Sequence, residues 1–252
     1  MLSNTQLKQF ASLKVKKFRQ KYSQFVVEGK KSIKELTHTN FIPDTLLFRH
    51  KSEDELCKLF PTSSIIENCG DQLNKISSFE TPGDTIAIIP LPVPSLSSSS
   101  ISKGCSLFLD EIQDPGNLGT IIRLAVWYGF NNIAFSKGCT DIFNPKTIQA
   151  SMGGFSKINF VYTEKETWLS QAQSANIPIL GAFLEGADVH HFVFPKNFIL
   201  VIGNEGDGIS PEVEKFISSR ITIKGSGHIE SLNAAMATAI VLDNIYRTSK
   251  LK

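Results

Sequence analysis

The chain has 252 residues, 41% of them apolar and 20% charged, the balance of a folded globular protein long enough for one or two cores. No apolar run approaches the roughly 18–20 residues a membrane span needs, and MLSNTQLKQFASLKVKKFRQ lacks the apolar core and small-residue cleavage site of a signal peptide, so a cytoplasmic protein is expected. The formal charge of +2 is unevenly placed: residues 1–31 hold eight Lys or Arg and one acid, Glu28, a net of +7 that leaves −5 for the rest. Such a cluster attracts polyanions, although a solvated helix face has the same composition. Its members are Lys8, Lys14, Lys16, Lys17, Arg19, Lys21, Lys30 and Lys31.

Residues 3–21 read as one basic helix with a partial apolar stripe at Phe10, Leu13 and Phe18. Phe25–Val27 then read as a strand, Lys30–Thr37 as a helix, Asp44–His50 as a strand, Ser52–Phe60 as a helix, Ser63–Cys69 as a strand, Asp71–Phe79 as a helix and Asp84–Pro90 as a strand. That alternation predicts a small α/β domain over residues 1–90. Residues 91–104, poor in anything to bury and rich in Pro and Ser, read as a linker.

A second α/β domain is expected over residues 105–252. Its strands are Ser106–Asp110, Asn131–Ser136, Lys157–Thr163, Ile177–Leu184, Phe198–Gly203 and Arg220–Ile223. Its helices are Leu118–Tyr128, Asn144–Gly154, Lys165–Ala175, Pro211–Ser218 and Leu232–Tyr246. FILVIG is almost wholly apolar, as expected of a parallel strand covered on both faces. Parallel sheets bind ligands beyond the carboxyl ends of their strands, and three polar or glycine-rich loops lie at such ends.

The first loop leads into a helix with Asn117, Gly119 and Arg123 spaced N-x-G-x-x-x-R. Asn117 reads as an N-cap or a site amide, and Arg123 as a surface cation or a group that meets phosphate and ribose oxygens. The second loop, Gly203-Asn204-Glu205-Gly206-Asp207-Gly208, has three glycines that allow a tight turn or a close approach to a ligand. It is neither a P-loop nor a dinucleotide-binding turn. The third, Glu230-Ser231-Leu232-Asn233, opens an Ala-rich helix with Ser231 as a good cap, while Asn233 is a poor helix former whose presence suggests a ligand-facing role. His190, His191 and His228 have no partner at metal spacing, and no Ser/His/Asp arrangement stands out. Cys57, Cys69, Cys105 and Cys139 are far apart and form no C-x-x-C pair, which favours reduced thiols over a disulfide frame or zinc site.

DPGNLGTIIR, LVIGNEGDGIS and ESLNAAMATAI resemble, in order, the three signature motifs of the SpoU/TrmH family of RNA ribose 2′-O-methyltransferases in the SPOUT superfamily. NPKTIQASMGG is similar to the segment between the first two motifs, and residues 22–89 to the family's ribosomal-protein-like N-terminal substrate-binding domain. Thr222 stands where the third motif usually has proline.

The resemblance implies an α/β fold with a C-terminal parallel-sheet SPOUT domain closed by a trefoil knot, which general topology rules would not suggest. It implies S-adenosylmethionine as methyl donor, no metal, and an RNA partner, ribosomal RNA ahead of transfer RNA. It also implies a homodimer through the C-terminal domain. By position it implies a catalytic group of Asn117, Arg123, Glu205, Ser231 and Asn233, with the donor held around Ile202, Gly203, Asn204, Gly206, Ile223 and Leu232. RNA contacts are expected at Lys14, Lys16, Lys17, Arg19, Lys30 and Lys31. The competing expectations are a non-catalytic RNA-binding module that keeps the fold, and a Rossmann-type methyltransferase, whose glycine-rich loop after the first strand is absent.

Overall fold

The computed structural model describes residues 1–51, 54–94, 96 and 104–249, and it divides into two compact units. Unit 1 comprises Met1–Val93 together with Asp141–Lys157, and unit 2 comprises Pro94–Thr140 and Ile158–Lys252.

Unit 1 opens with two helices where a single one is predicted. α1 (Asn4–Ser12) starts on a capping box in which Ser3 and Gln6 satisfy each other's backbone N–H groups. It stops at Leu13, and α2 (Lys16–Tyr22) begins three residues later, closed by Ser23 in the left-handed conformation. The break has a cause: the Arg19 guanidinium turns back to donate to the carbonyls of Leu13 and Lys14, both at 2.9 Å. Those carbonyls sit at the end of α1, where a helix leaves acceptors unpaired.

β1 (Gln24–Glu28), α3 (Lys30–Lys34), β2 (Thr45–Phe48), α4 (Asp54–Leu59), β3 (Ser64–Ile66), α5 (Gln72–Ile76) and β4 (Thr85–Pro90) follow; β1 is one residue longer at each end than predicted, and the others are shorter than their predicted spans. The start of the predicted Ser52–Phe60 helix lies outside the described residues. The strands form a sheet in the order β1-β4-β2-β3, antiparallel except for the β2–β3 pair. Phe10, Leu13, Val26, Leu73, Ile86 and Ile88 fill one core. Phe25 gathers Phe143 and Phe155, with ring centroids 4.6 and 5.9 Å away, so the segment 141–157 is built into this unit. That segment carries α7 (Pro145–Ser151), which ends at Met152 in the left-handed conformation.

Unit 2 is a six-stranded, all-parallel sheet in the order β10-β8-β9-β5-β6-β7. Its strands are β5 (Cys105–Leu109), β6 (Asn132–Ser136), β7 (Asn159–Thr163), β8 (Ile179–Asp188), β9 (Phe198–Ile202) and β10 (Ser219–Thr222). Its helices are α6 (Pro115–Trp127), α8 (Lys165–Ser174), α9 (Pro211–Glu214) and α10 (Ala234–Ser249). β9 is buried along its whole length, which explains its unbroken apolar sequence. Phe108, Ala134, Trp168, Leu169, Ile199, Val201 and Val213 form the core on one side of the sheet.

β8 runs four residues beyond its predicted end, because its pairing with β10 jumps from Arg220↔Gly181 to Ile221↔Ala187. Gly186 is required at that jump: a Cβ there would lie 2.6 Å from the Arg220 carbonyl oxygen. β5 lies between β9 and β6, so the chain leaves it in one direction towards β6 and β7 and returns on its other side through β8 and β9. The loops after β5 and β9 therefore meet at the switch point of the sheet, where parallel α/β sheets bind ligands. No helix among the described residues is long and apolar enough to cross a membrane.

Candidate active site

The N-terminus of α6 is arranged so that Asn117 is free to face inward. Asp114, not Asn117, is the N-cap: its carboxylate accepts the Asn117 backbone N–H at 2.7 Å, and Pro115 occupies the first helical position. The Asn117 side-chain amide donates through Nδ2 to the Glu205 carboxylate, and its Oδ1 accepts from Asn233 Nδ2 at 2.9 Å. One residue from each of the three loops is thus joined in a single hydrogen-bonded chain.

Glu205 stands on a turn closed by mutual hydrogen bonds between Asn204 and Gly208, N–H to carbonyl in both directions at 2.9 and 3.0 Å. Gly203, at the foot of the turn, cannot be replaced without moving the backbone, since a Cβ would sit 2.3 Å from the Gly208 carbonyl carbon. Asn204 anchors the turn internally through Gly206 N–H at 2.7 Å and externally by donating to the Glu111 carbonyl at 2.8 Å. Ile202 is buried at the end of β9.

In the third loop the structure corrects the expected capping. α10 begins at Ala234, and Asn233 is its cap, accepting from Ala235 N–H at 2.9 Å and Met236 N–H at 3.3 Å. Asn233 therefore serves the helix end and the site at once, while Ser231 and Leu232 are exposed ahead of it. Ile223 is half-buried just past β10. Among the described residues, the backbone groups of residues 224–232 make no hydrogen bond within the chain.

Arg123 is exposed and, among the described residues, makes no ion pair or side-chain hydrogen bond. Six residues separate it from Asn117, which at about 100° per residue turns it roughly 120° away around α6 and about 9 Å along it. The fold brings Asn117, Glu205 and Asn233 together and leaves Arg123 on another face, in line with exposed Trp127 four residues on.

A group not expected from the sequence lies beneath the first two loops. Asp110, fully buried at the end of β5, accepts Ser210 N–H at 2.9 Å. Lys165, the first residue of α8, reaches Glu111 at 2.6 Å, Ser210 Oγ at 2.9 Å and Asp110 Oδ1 at 3.2 Å. Burial pulls the Lys165 pKa down, but the hydrogen bond to Glu111 and the negative charge of Asp110 outweigh it and hold the ammonium above its ordinary range. The sequence signal was a lysine in the first turn of a helix, against the helix dipole.

In unit 1, Lys14, Lys16, Lys17 and Lys31 are exposed, and Lys30 pairs with Glu55 at 3.4 Å. Arg19 departs from expectation. It is 3% exposed and bound to Asp141 through Nε at 3.1 Å and Nη2 at 2.6 Å, so its charge is spent inside the unit rather than offered to a polyanion.

The SpoU rRNA Methylase family model matches residues 104–243, and the MRM3-like substrate binding domain model matches residues 4–87. The 23S rRNA (guanosine(2553)-2'-O)-methyltransferase RlmP of Bacillus subtilis is 27% identical over 242 residues, covering 95% of each chain. A solved structure described as a putative RNA methyltransferase of the TrmH family from Porphyromonas gingivalis is 34% identical, with a TM-score of 0.85 over 97% of this chain and 98% of that one. The AdoMet-bound rRNA methyltransferase of Sinorhizobium meliloti is 25% identical, with a TM-score of 0.87 over 98% of this chain and 96% of that one.

Proposed function

The chain belongs to the SpoU rRNA methylase family, and on that premise we propose that it transfers a methyl group from S-adenosylmethionine to a ribose 2′-hydroxyl of ribosomal RNA. Membership also implies the trefoil knot. The observation that carries the proposal is the hydrogen-bonded chain Glu205–Asn117–Asn233, which joins all three motifs at the carboxyl ends of β5, β9 and β10.

The residues suit the donor. Residues 224–232 offer backbone donors and acceptors with no partner among the described residues, of the kind an adenine edge and a carboxylate require. Ile223 and Leu232 provide apolar surface at either end of that stretch, and the Glu205 carboxylate on the Gly203–Gly208 turn is linked through Asn117 to Asn233, the next residue after it. When bound, the donor supplies an electrophilic sulfonium methyl group.

Positive charge is neutralised as the methyl moves, so much of the catalysis rests on alignment of the two reactants. Asn117 holds Glu205 in place, and Asn233 holds Asn117. A guanidinium keeps its proton in proteins and is a poor base; we assign Arg123 to orienting the hydroxyl and stabilising oxyanion charge, directly or through a neighbouring phosphate. We assign Ser231 to the donor side of the site, beside the arginine.

Because Arg123 points away from Asn117 on α6, we propose that a second copy completes each site. Exposed Trp127, in line with Arg123, and exposed Met236 and Tyr246 on α10 supply apolar surface for such a homodimer. Lys14, Lys16, Lys17 and Lys31 would contact RNA phosphates, and the compartment would be the cytoplasm.

The test is methyl transfer from labelled S-adenosylmethionine to unmodified ribosomal RNA, followed by mapping of 2′-O-methyl positions. Arg123→Ala is expected to abolish transfer while donor binding persists. Near-normal transfer in that variant would remove Arg123 from the reaction, and failure of the wild type to bind the donor would remove the function.

A further inference from the structure

The loops that carry Asn117 and Glu205 leave adjacent strands, and their relative position is fixed from below by a buried charge cluster. The structure assigns Lys165 as a positioning residue for methyl transfer: its ammonium locks the loop after β5 to the loop after β9 and so sets Glu205 against Asn117. This inference rests on the function proposed above.

Three features of the cluster point to positioning. Asp110 is wholly buried, and among the described residues its Oδ1 has no partner in hydrogen-bond geometry; the ammonium 3.2 Å away is the cation that compensates its charge. A buried carboxylate without such a partner is strongly disfavoured. Next, Lys165 is at the start of α8, where its charge meets the positive end of the helix dipole, so helix stability does not account for it. The carboxylates at the end of β5 do. Finally, Glu111 is held at φ +56°, a left-handed conformation uncommon for a residue with a long side chain. In that conformation its N–H donates to Ser136 Oγ at 2.9 Å, its carbonyl accepts from Asn204, and its carboxylate takes the ammonium.

The connection to the reacting groups is continuous. Lys165 binds Glu111 and Ser210; Glu111 holds Asn204; Asn204 closes the turn that carries Glu205; and Glu205 accepts from Asn117. Ser210 lies just past the same turn and is tied through its N–H to Asp110. Networks of this kind fix geometry more than they add stability. The ammonium of Lys165 is taken up by Glu111, Ser210 and Asp110, so its effect is transmitted through the loops.

The experiment compares wild type with Lys165→Met and Lys165→Arg in turnover, in KM for donor and RNA, and in donor affinity by calorimetry. Hydrogen–deuterium exchange of the two loops is followed without RNA. Loss of the ammonium is expected to lower kcat by about tenfold to a hundredfold through misalignment, with donor Kd within about threefold of wild type. It is also expected to speed exchange over residues 110–117 and 203–210. Lys165→Arg is expected to restore turnover to within about threefold, because a cation again bridges the carboxylates. A purely structural role would lower thermal stability without this split and would not be rescued in kcat. Wild-type kcat in Lys165→Met, or unchanged exchange of both loops, overturns the inference.

If Lys165→Met does not fold, Glu111→Gln takes its place, since it alters the half-exposed rim of the cluster and leaves Asp110 paired. A fall in kcat at constant donor affinity supports the assignment, and unchanged kcat overturns it. If wild type transfers no methyl group to ribosomal RNA, the functional proposal fails, while the exchange measurement still decides the role of Lys165.

Discussion

Replacing Arg19 by methionine separates two readings of the basic N-terminal segment. As an RNA contact, Arg19 would affect affinity and leave stability alone. The structure says the reverse. The substitution removes two hydrogen bonds to Asp141 and two to the carbonyls that end α1, all within a side chain 3% exposed. Removing one partner of a buried ion pair costs about 3–5 kcal/mol. Asp141 retains some exposure and still accepts Phe143 N–H at 3.0 Å, which places the expected loss near the lower end, about 3 kcal/mol. For a chain of this size that corresponds to a fall in melting temperature of about 6–12 °C. Thermal melts followed by circular dichroism measure it, with Lys17→Ala as an exposed control expected to change stability by less than about 0.5 kcal/mol. Pairing Arg19→Met with Asp141→Leu is expected to recover much of the loss, because a buried pair is often replaceable by apolar groups. A variant that melts like wild type yet binds RNA more weakly would refute this account and return Arg19 to the RNA surface.

Other substitutions test separate parts of the argument. Gly203→Ala forces a Cβ to 2.3 Å from backbone and is expected to cost about 1–3 kcal/mol and to weaken donor binding, read by thermal melts and calorimetry. Replacing Lys14, Lys16 and Lys17 together by Ala is expected to lower RNA affinity and to reduce the slope of log K against log salt by about 2–3, with little change in melting temperature. Glu35, whose carboxyl Lys157 holds below its ordinary value of 4.5, contributes stability above about pH 4.5 that is lost as pH falls through the lower folded value. The melting difference between wild type and Glu35→Gln should be small at pH 7, under about 1 kcal/mol for a pair this exposed, and should shrink as pH falls below 4.5. Burial pushes the Cys139 thiol up to about 11, so alkylation at pH 8 should leave it unmodified in the folded protein, as read by mass spectrometry.

The order of strands and helices was legible because each has a strong local signal. FILVI is apolar enough to announce a strand covered on both faces, and Asp114-Pro115 marks the start of a helix, although the sequence reading began that helix at Leu118. Arg19 was not legible, because charge pattern cannot distinguish it from Lys17; its partner, Asp141, is 122 residues away. The break between α1 and α2 has the same origin, since the guanidinium that fixes it is held from afar. Asn233 was read as a site residue at the expense of its capping role, whereas the geometry gives it both. Arg123 shows the limit of spacing arguments: six residues place two side chains on one helix but not on one face. Lys165 was missed because its meaning depends on Asp110 and Glu111, which only the parallel sheet brings to it.

The excursion from Asp141 to Lys157 has a consequence for how this protein can be cut and shuffled. The chain enters unit 1 twice, so a gene fragment ending in the Pro/Ser-rich stretch would encode Phe25 and Arg19 without Phe143, Phe155 and Asp141. The complementary fragment would encode those three without the strand and helix they pack against. Neither half is expected to be a clean module. Recombination that exchanges unit 1 among related chains has to carry the seventeen residues of the excursion along, or replace its aromatic and acidic contacts in the recipient.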